Sequence, residues 1–243
     1  KDISGVITSG NARDLVLSLT ARCGVSLATT SAQFAELANY STMLTLPAAS
    51  KVKTCRDLLM WVCMATATSA RFNRQGKLEL ISMTGRAPVR TIPADDRYID
   101  NVSDNFVKIT QVTMKIGENT YSAGEEGLTL ELEENPLMIG KSNTQINTML
   151  TNILNKVTLA EYTPASTDYI GDPALMAGDY VLLEDTASLD GEPTLMMITS
   201  SSWRYRGKHN LASAGKSAML RSSYDQTGKA VSAVVGTANE ALH

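Results

Sequence analysis

Two histidines and three cysteines in 243 residues leave this chain little material for metal or nucleophilic chemistry. His209 and His243 give no His-pair metal site, and no Ser-His-Asp or Cys-His constellation can be assembled around them. Cys23, Cys55 and Cys63 contain no C-x-x-C, and an odd number cannot pair fully within one chain. On a helix, Cys55 and Cys63 would stand about 12 Å apart along the axis, too far for a disulfide. Reduced, mostly buried thiols are expected. Charge of one sign is also scarce: 22 basic against 25 acidic residues give a net charge of -3. That balance argues against a general nucleic-acid binder, whose phosphate contacts need a face rich in Lys and Arg. No apolar run approaches the roughly 20 residues that span a bilayer, and no charged-then-apolar signal segment opens the chain. It begins at Lys1 rather than Met, as a processed or truncated chain would.

What is present suffices for one large or two ordinary domains, because 43% of the residues are hydrophobic. Residues 1–88 read as a small α+β domain with an internal repeat. At an offset of 43 residues, Asn11-Ala12-Arg13-Asp14-Leu15 lies over Thr54-Cys55-Arg56-Asp57-Leu58. Each copy has a capping residue followed three positions later by Asp, which puts negative charge beside the unpaired amides of a helix start. Gly24 stops the first helix. The second leads to a hairpin, Ala70–Asn73 and Leu78–Ile81 around Arg74-Gln75-Gly76-Lys77. Chance similarity of two capped helices is the alternative account of the repeat, since helix starts draw on few residue types.

Residues 89–104 are polar and read as a linker. Residues 105–217 then read as a β domain. Strands are expected at 107–116, 128–133, 158–163, 180–184, 195–205 and 211–216, with 121–127 turn-rich. One helix interrupts them over 144–157, with Ile146, Leu150, Ile153, Leu154 and Val157 on one stripe against the sheet. Residues 218–243 are rich in Ser, Ala and Gly and are expected to form a flexible C-terminal tail. The fold class expected is α+β: a small duplicated helix-strand domain, then a mainly antiparallel β-barrel or sandwich with one packed helix.

The segment Tyr162–Val181 carries the most specific pattern. Its bends at Gly171-Asp172-Pro173 and Gly178-Asp179 re-aim the chain into the strand that begins at Tyr180. Gly171-Asp172-Pro173-Ala174-Leu175-Met176-Ala177-Gly178-Asp179 resembles a phrase, G-[DN]-P-A-L-x-x-G-D, of the hub proteins of bacteriophage tails, including the late control protein D group. The similarity extends over residues 11–217, through the helix-opening Arg13-Asp14-Leu15 and a closing Gly215-Lys216-Ser217. It implies a tail-tube-like fold, no catalysis and no cofactor. It also implies a structural role in a virion tail, at a baseplate or tip assembled in the host cytoplasm. The partners implied are other copies of the chain, three to a ring, other tail tube, baseplate or tip proteins, and DNA only in transit. Hub proteins carry an N-terminal half of the tube-like domain and often a C-terminal hydrolase; this sequence holds neither before Lys1 nor after Leu220.

Gly215-Lys216-Ser217 fails as a phosphate loop, because Asn210 stands where the upstream Gly is required. Residues 185–192 lack the alternating acids of a calcium loop. Glu125, Glu126, Glu131, Glu133 and Glu134 cluster, but glycoside hydrolysis needs one acid in an apolar cleft and another roughly 5 to 9 Å away. Glu131 and Glu133 share one face of a strand. They either line the channel of a ring, where an acidic wall would repel passing DNA, or lie on an outward, solvated face. Trp203 and Tyr205 alternate with Arg204 and Arg206. Trp203 has three open roles: core packing, a subunit interface, or stacking on a sugar. His209 is expected in a solvated turn, and Asp172 and Asp179 are expected to have no titratable partner nearby. A receptor- or glycan-binding module of a tail, or a peptidoglycan hydrolase, are the alternative functions.

Overall fold

In the computed structural model the chain is described over residues 1–82, 87–103, 107–184, 192–204 and 207–213. It opens with β1 (Ser9–Gly10), α1 (Ala12–Cys23), α2 (Ser31–Ala35), β2 (Leu44–Thr45) and α3 (Cys55–Thr66). The strands β3 (Thr68–Phe72), β4 (Leu78–Ser82), β5 (Arg90–Ile92), β6 (Arg97–Val102), β7 (Gln111–Ile116), β8 (Asn119–Gly124) and β9 (Thr129–Leu132) follow. After α4 (Asn143–Val157) come β10 (Ala165–Tyr169), β11 (Tyr180–Leu183), β12 (Thr194–Met197), β13 (Ser200–Arg204) and β14 (Lys208–Ala212). The class is α+β with several mainly antiparallel sheets, and among the described residues none closes into a barrel.

The chain forms two compact units that do not follow its order: Lys1–Met83 with Thr110–Val157, and Thr84–Ile109 with Thr158–His243. In the first unit, α1 and α3 are twelve residues each and start 43 positions apart, at residues 12 and 55. Asn11 accepts from the Asp14 amide at 3.0 Å, and Gly24 ends α1 in the left-handed region at φ 72°. Thr54 and Asp57 form a full capping box, each accepting from the other's amide at 3.1 Å. After α1, Ser26–Ala28 runs beside β4, with Ala28 N–H on the Leu78 carbonyl at 2.7 Å. After α3 comes the β3–β4 hairpin, paired from Thr68↔Ser82 to Phe72↔Leu78.

The same unit takes in the later sheet β8-β7-β9 and the helix α4. Ile146, Met149, Leu150, Ile153 and Val157 form the buried stripe of α4. Two buried asparagines stitch the parts together: Asn39 donates to the Ala65 and Met149 carbonyls at 2.8 and 3.1 Å, and Asn135 donates to the Trp61 carbonyl at 2.9 Å. Residues 110–157 therefore belong with the N-terminal helices, and the expected single β domain over 105–217 is corrected. The linker over 89–104 is corrected too, because β5 and β6 lie in it. Four of the six residues of β6 are exposed, so this edge strand shows little apolar alternation and reads as polar loop.

The second unit holds the four-stranded sheet β13-β14-β10-β6 and the three-stranded sheet β12-β11-β5, where β5 runs parallel to β11. Both sheets contribute to one apolar cluster. It takes Ile92, Val181, Leu183 and Met196 from the smaller sheet and Ala165, Tyr169 and Leu211 from the larger, with Leu175 and Ile198 from the connections. The opposite face of the larger sheet carries Ile99, Asp168, Asn210 and Ser202 in one cross-strand row. None of these four is buried. The stretch expected as one strand over 195–205 is two, β12 and β13, broken where Ile198 N–H turns to the Asp179 carbonyl and Thr199 N–H to the Ala212 carbonyl.

Candidate functional site

The bend between β10 and β11 is built by its own side chains. Gly171 has φ +111°, and a Cβ there would lie 2.6 Å from two ring carbons of Trp203. Only glycine meets both conditions. Asp172 then accepts from the Ala174 amide at 2.7 Å, and Leu175 N–H closes the turn on the Asp172 carbonyl at 3.1 Å. Leu175 drops into the core cluster. Asp179 repeats the device, accepting from the Met176 amide at 3.0 Å, while Gly178 turns at φ +88°. Contrary to the sequence expectation, Asp172 has a titratable partner, an ion pair with Arg90.

Against this bend sits a polar cluster that the sequence did not reveal. His209 is fully buried on β14 rather than solvated in a turn. Trp203 lies over it, ring centroids 4.0 Å apart and planes 14° from parallel. Its Nδ1 accepts from the Asp172 backbone amide at 3.4 Å and meets Tyr169 Oη at 3.1 Å, while Nε2 lies 2.8 Å from Ser201 Oγ. An Nδ1 that accepts leaves the proton on Nε2, which then donates to Ser201. Burial holds the His209 pKa below the ordinary imidazole value, with the Asp172 charge opposing. Burial, and then the same charge, pushes the Tyr169 phenol up to about 12, so it stays protonated and can donate to Nδ1. A base for serine needs the reverse tautomer and an open approach. The pair is a structural tie, not an activated nucleophile.

Trp203 is 51% exposed, so it is not core, and one face of its ring stacks on His209. Tyr205 lies outside the described residues. Elsewhere in this unit Tyr98, Ile99 and Ile170 are exposed, at 55%, 61% and 52%, and the Lys208 ammonium sits 5.3 Å from the Tyr98 ring centroid. Arg97–Val102 shows little apolar alternation, so no pattern in the sequence singles out Tyr98 and Ile99. In the first unit, Glu131 is exposed on β9 and Glu133 just beyond it. Trp203 belongs to the second unit.

The first unit also carries a groove of about 640 Å³ lined by Pro47, Lys51, Asp57, Met60, Trp61 and Glu134, among others. Its carboxylates are committed to backbone: Asp57 to the Thr54 amide at 3.1 Å and Glu134 to the Gly117 amide at 3.2 Å. Among the described residues no cluster of three or more His, Cys, Asp or Glu is placed to hold a metal ion. No described helix is long and apolar enough to cross a membrane.

No family model and no curated protein matches the sequence. Among solved structures, the chain is similar to a 43 kDa tail protein of prophage MuSo2 from Shewanella oneidensis, at 11% identity and TM-score 0.48. That alignment covers 86% of this chain and 63% of the other, so this chain spans less than two thirds of that protein. It is similar to a tail protein from Neisseria meningitidis MC58 at 12% identity and TM-score 0.51, over 95% of this chain and 71% of that one. A phage P2 baseplate structure aligns at 8% identity and TM-score 0.22, over 71% of this chain and 56% of that one. The Neisseria likeness shows a shared fold, and the two lower scores add nothing to it.

Proposed function

We propose that this chain is a structural component of a phage or prophage tail, a hub at the distal end of the tail tube. Copies of it close a ring that joins the tube to baseplate or tip proteins, and DNA only passes through. The fold shared with the Neisseria tail protein supports the setting. The larger sheet of the second unit carries the assembly reading: among the described residues its edge strands β6 and β13 each have one neighbour only. Exposed edges invite pairing with another chain, and Tyr98, Ile99 and Trp203 add aromatic and apolar area of the kind enriched in interfaces. Assembly would take place in the host cytoplasm and end in the virion tail. Three copies to a ring, with Glu131 and Glu133 facing its channel, is the finer form of the proposal.

Mass by light scattering, followed by negative-stain imaging, tests it. A closed ring, weakened by Ile99→Lys without loss of folding, is the expected result. A strict monomer at high concentration, unaffected by Ile99→Lys, would refute it. The half-exposed indole of Trp203 favours one second reading, a glycan-binding module. It requires glycan affinity that Trp203→Ala abolishes in the monomer.

A further inference from the structure

Arg204 of β13 and Lys208 of β14 stand directly opposite each other in the larger sheet of the second unit. The rung before them, Trp203 with the buried His209, shares its face with Tyr169 and the core cluster. Side chains alternate between faces, so Arg204 and Lys208 point the other way, onto the face that carries Ile99, Asp168, Asn210 and Ser202. Both are exposed, and side chains so placed have Cβ atoms about 5 Å apart. Neither forms an ion pair among the described residues. Asp168, one rung away on the same face, accepts instead from Asn210 at 2.7 Å. Like charges directly opposite destabilise a sheet. A charge on the edge strand β13 discourages wrong pairing, which accounts for Arg204 but not for a second cation on the inner strand β14. The Tyr98 ring, 5.3 Å from the Lys208 ammonium, supplies no countercharge.

We propose that this end of the larger sheet docks an acidic segment of another protein, whose carboxylates bind Arg204 and Lys208 and whose aliphatic side chains cover Tyr98 and Ile99. Charge complementarity carries the choice of partner. A carboxylate brings the countercharge that the fold withholds, and the Arg204 guanidinium can grip it through two N–H groups. Two cations are few for a nucleic acid, which is held by many phosphate contacts. A phosphate backbone also offers no aliphatic groups to the exposed Tyr98 and Ile99. The unmatched rung is thus a local cost in the free chain that binding relieves. The proposal does not rest on ring closure, and light scattering on the same samples reads self-assembly separately.

The test titrates the full chain into a short fluorescein-labelled peptide of glutamate and leucine, read by fluorescence anisotropy at low salt. Saturable binding is expected, fading as salt rises toward about 0.5 M because exposed charges are screened. Arg204→Gln and Lys208→Gln should each weaken it roughly twofold to fivefold, and the two together roughly tenfold or more. Tyr98→Ser should weaken it as well, and a peptide with glutamine for glutamate should not bind. The double variant should unfold at a temperature no lower than the parent, since the like-charge rung is gone. Absence of peptide binding, binding that the double variant leaves unchanged, or equal binding of the glutamine peptide would each overturn the proposal. So would a fall of several degrees in the double variant's unfolding temperature, or tighter binding of a DNA duplex through the same two residues.

Discussion

Replacing Gly171 by alanine tests the physical account of the bend. Two costs arise, and they respond differently to relaxation. The first is backbone strain: φ +111° is a region that L side chains rarely adopt, at about 1 to 3 kcal/mol. The second is steric, since the new Cβ would sit 2.6 Å from two carbons of Trp203, well inside van der Waals contact. Trp203 is half exposed and can swing outward. The steric cost is therefore capped by what that movement forfeits, chiefly its stack on His209, about 0.5 to 1.5 kcal/mol. Strain wins, and the total comes to about 3 kcal/mol. Because the chain holds two units, a global unfolding curve blurs the effect; native-state hydrogen exchange on β10 and β14 reads it locally. Gly171→Ala should lower protection there by about two orders of magnitude and leave β7–β9 unchanged. Adding Trp203→Ala should relieve the steric part and leave the strain. An effect below about 0.5 kcal/mol, or complete rescue by the second change, would refute the reasoning.

Two further outcomes follow from the buried groups. His209 has a folded-state pKa below its unfolded value of about 6.5, so the unfolded chain binds more protons there. Its contribution is fully present above the unfolded pKa and is lost as pH falls through the folded value. Urea midpoints of the wild type should decline over that acid window, and His209→Gln should flatten the decline; parallel curves would contradict the assignment. Asn39→Ala strips partners from the Ala65 and Met149 carbonyls and from Asn152, whose amide donates to Asn39 at 2.9 Å. It should destabilise the first unit by about 3 kcal/mol in denaturant titration, with exchange in β10–β14 untouched.

The parts of the fold legible in the sequence are those whose pattern is local. The stripe of α4, the caps at Asn11 and Thr54 and the β3–β4 hairpin need only neighbouring residues to specify them. Elements stabilised from outside were missed. β8, Asn-Thr-Tyr-Ser-Ala-Gly, buries only Ala123 and reads as a turn. Arg206-Gly207-Lys208-His209 looks solvated by composition, yet register puts His209 opposite both Tyr169 and Trp203. The interleaved units were illegible because Asn39 and Asn135 act through carbonyls that no side-chain pattern encodes. At the bend, the sequence showed that Gly171 mattered but not why, since its partner lies in β13.

That partner connects the conformational role of the motif to the proposed assembly. An aromatic side chain used at an interface loses rotamer freedom on binding, about 0.5 to 1.5 kcal/mol for a mobile one. Trp203 has lost much of that freedom already: His209 fixes its lower face, and the missing Cβ of Gly171 leaves room for its ring to lie flat. The ion pair of Asp172 with Arg90 and the Asp172 amide on His209 hold the floor of that stack in place. The Gly171–Asp179 phrase thus shapes the chain and also presets an exposed indole beside a sheet edge. A surface aromatic with no task would not need this support, because surface packing adds little stability. In the proposed ring, this preset orientation is what a repeated contact between copies would use, so Trp203 is the first residue at which to test that proposal.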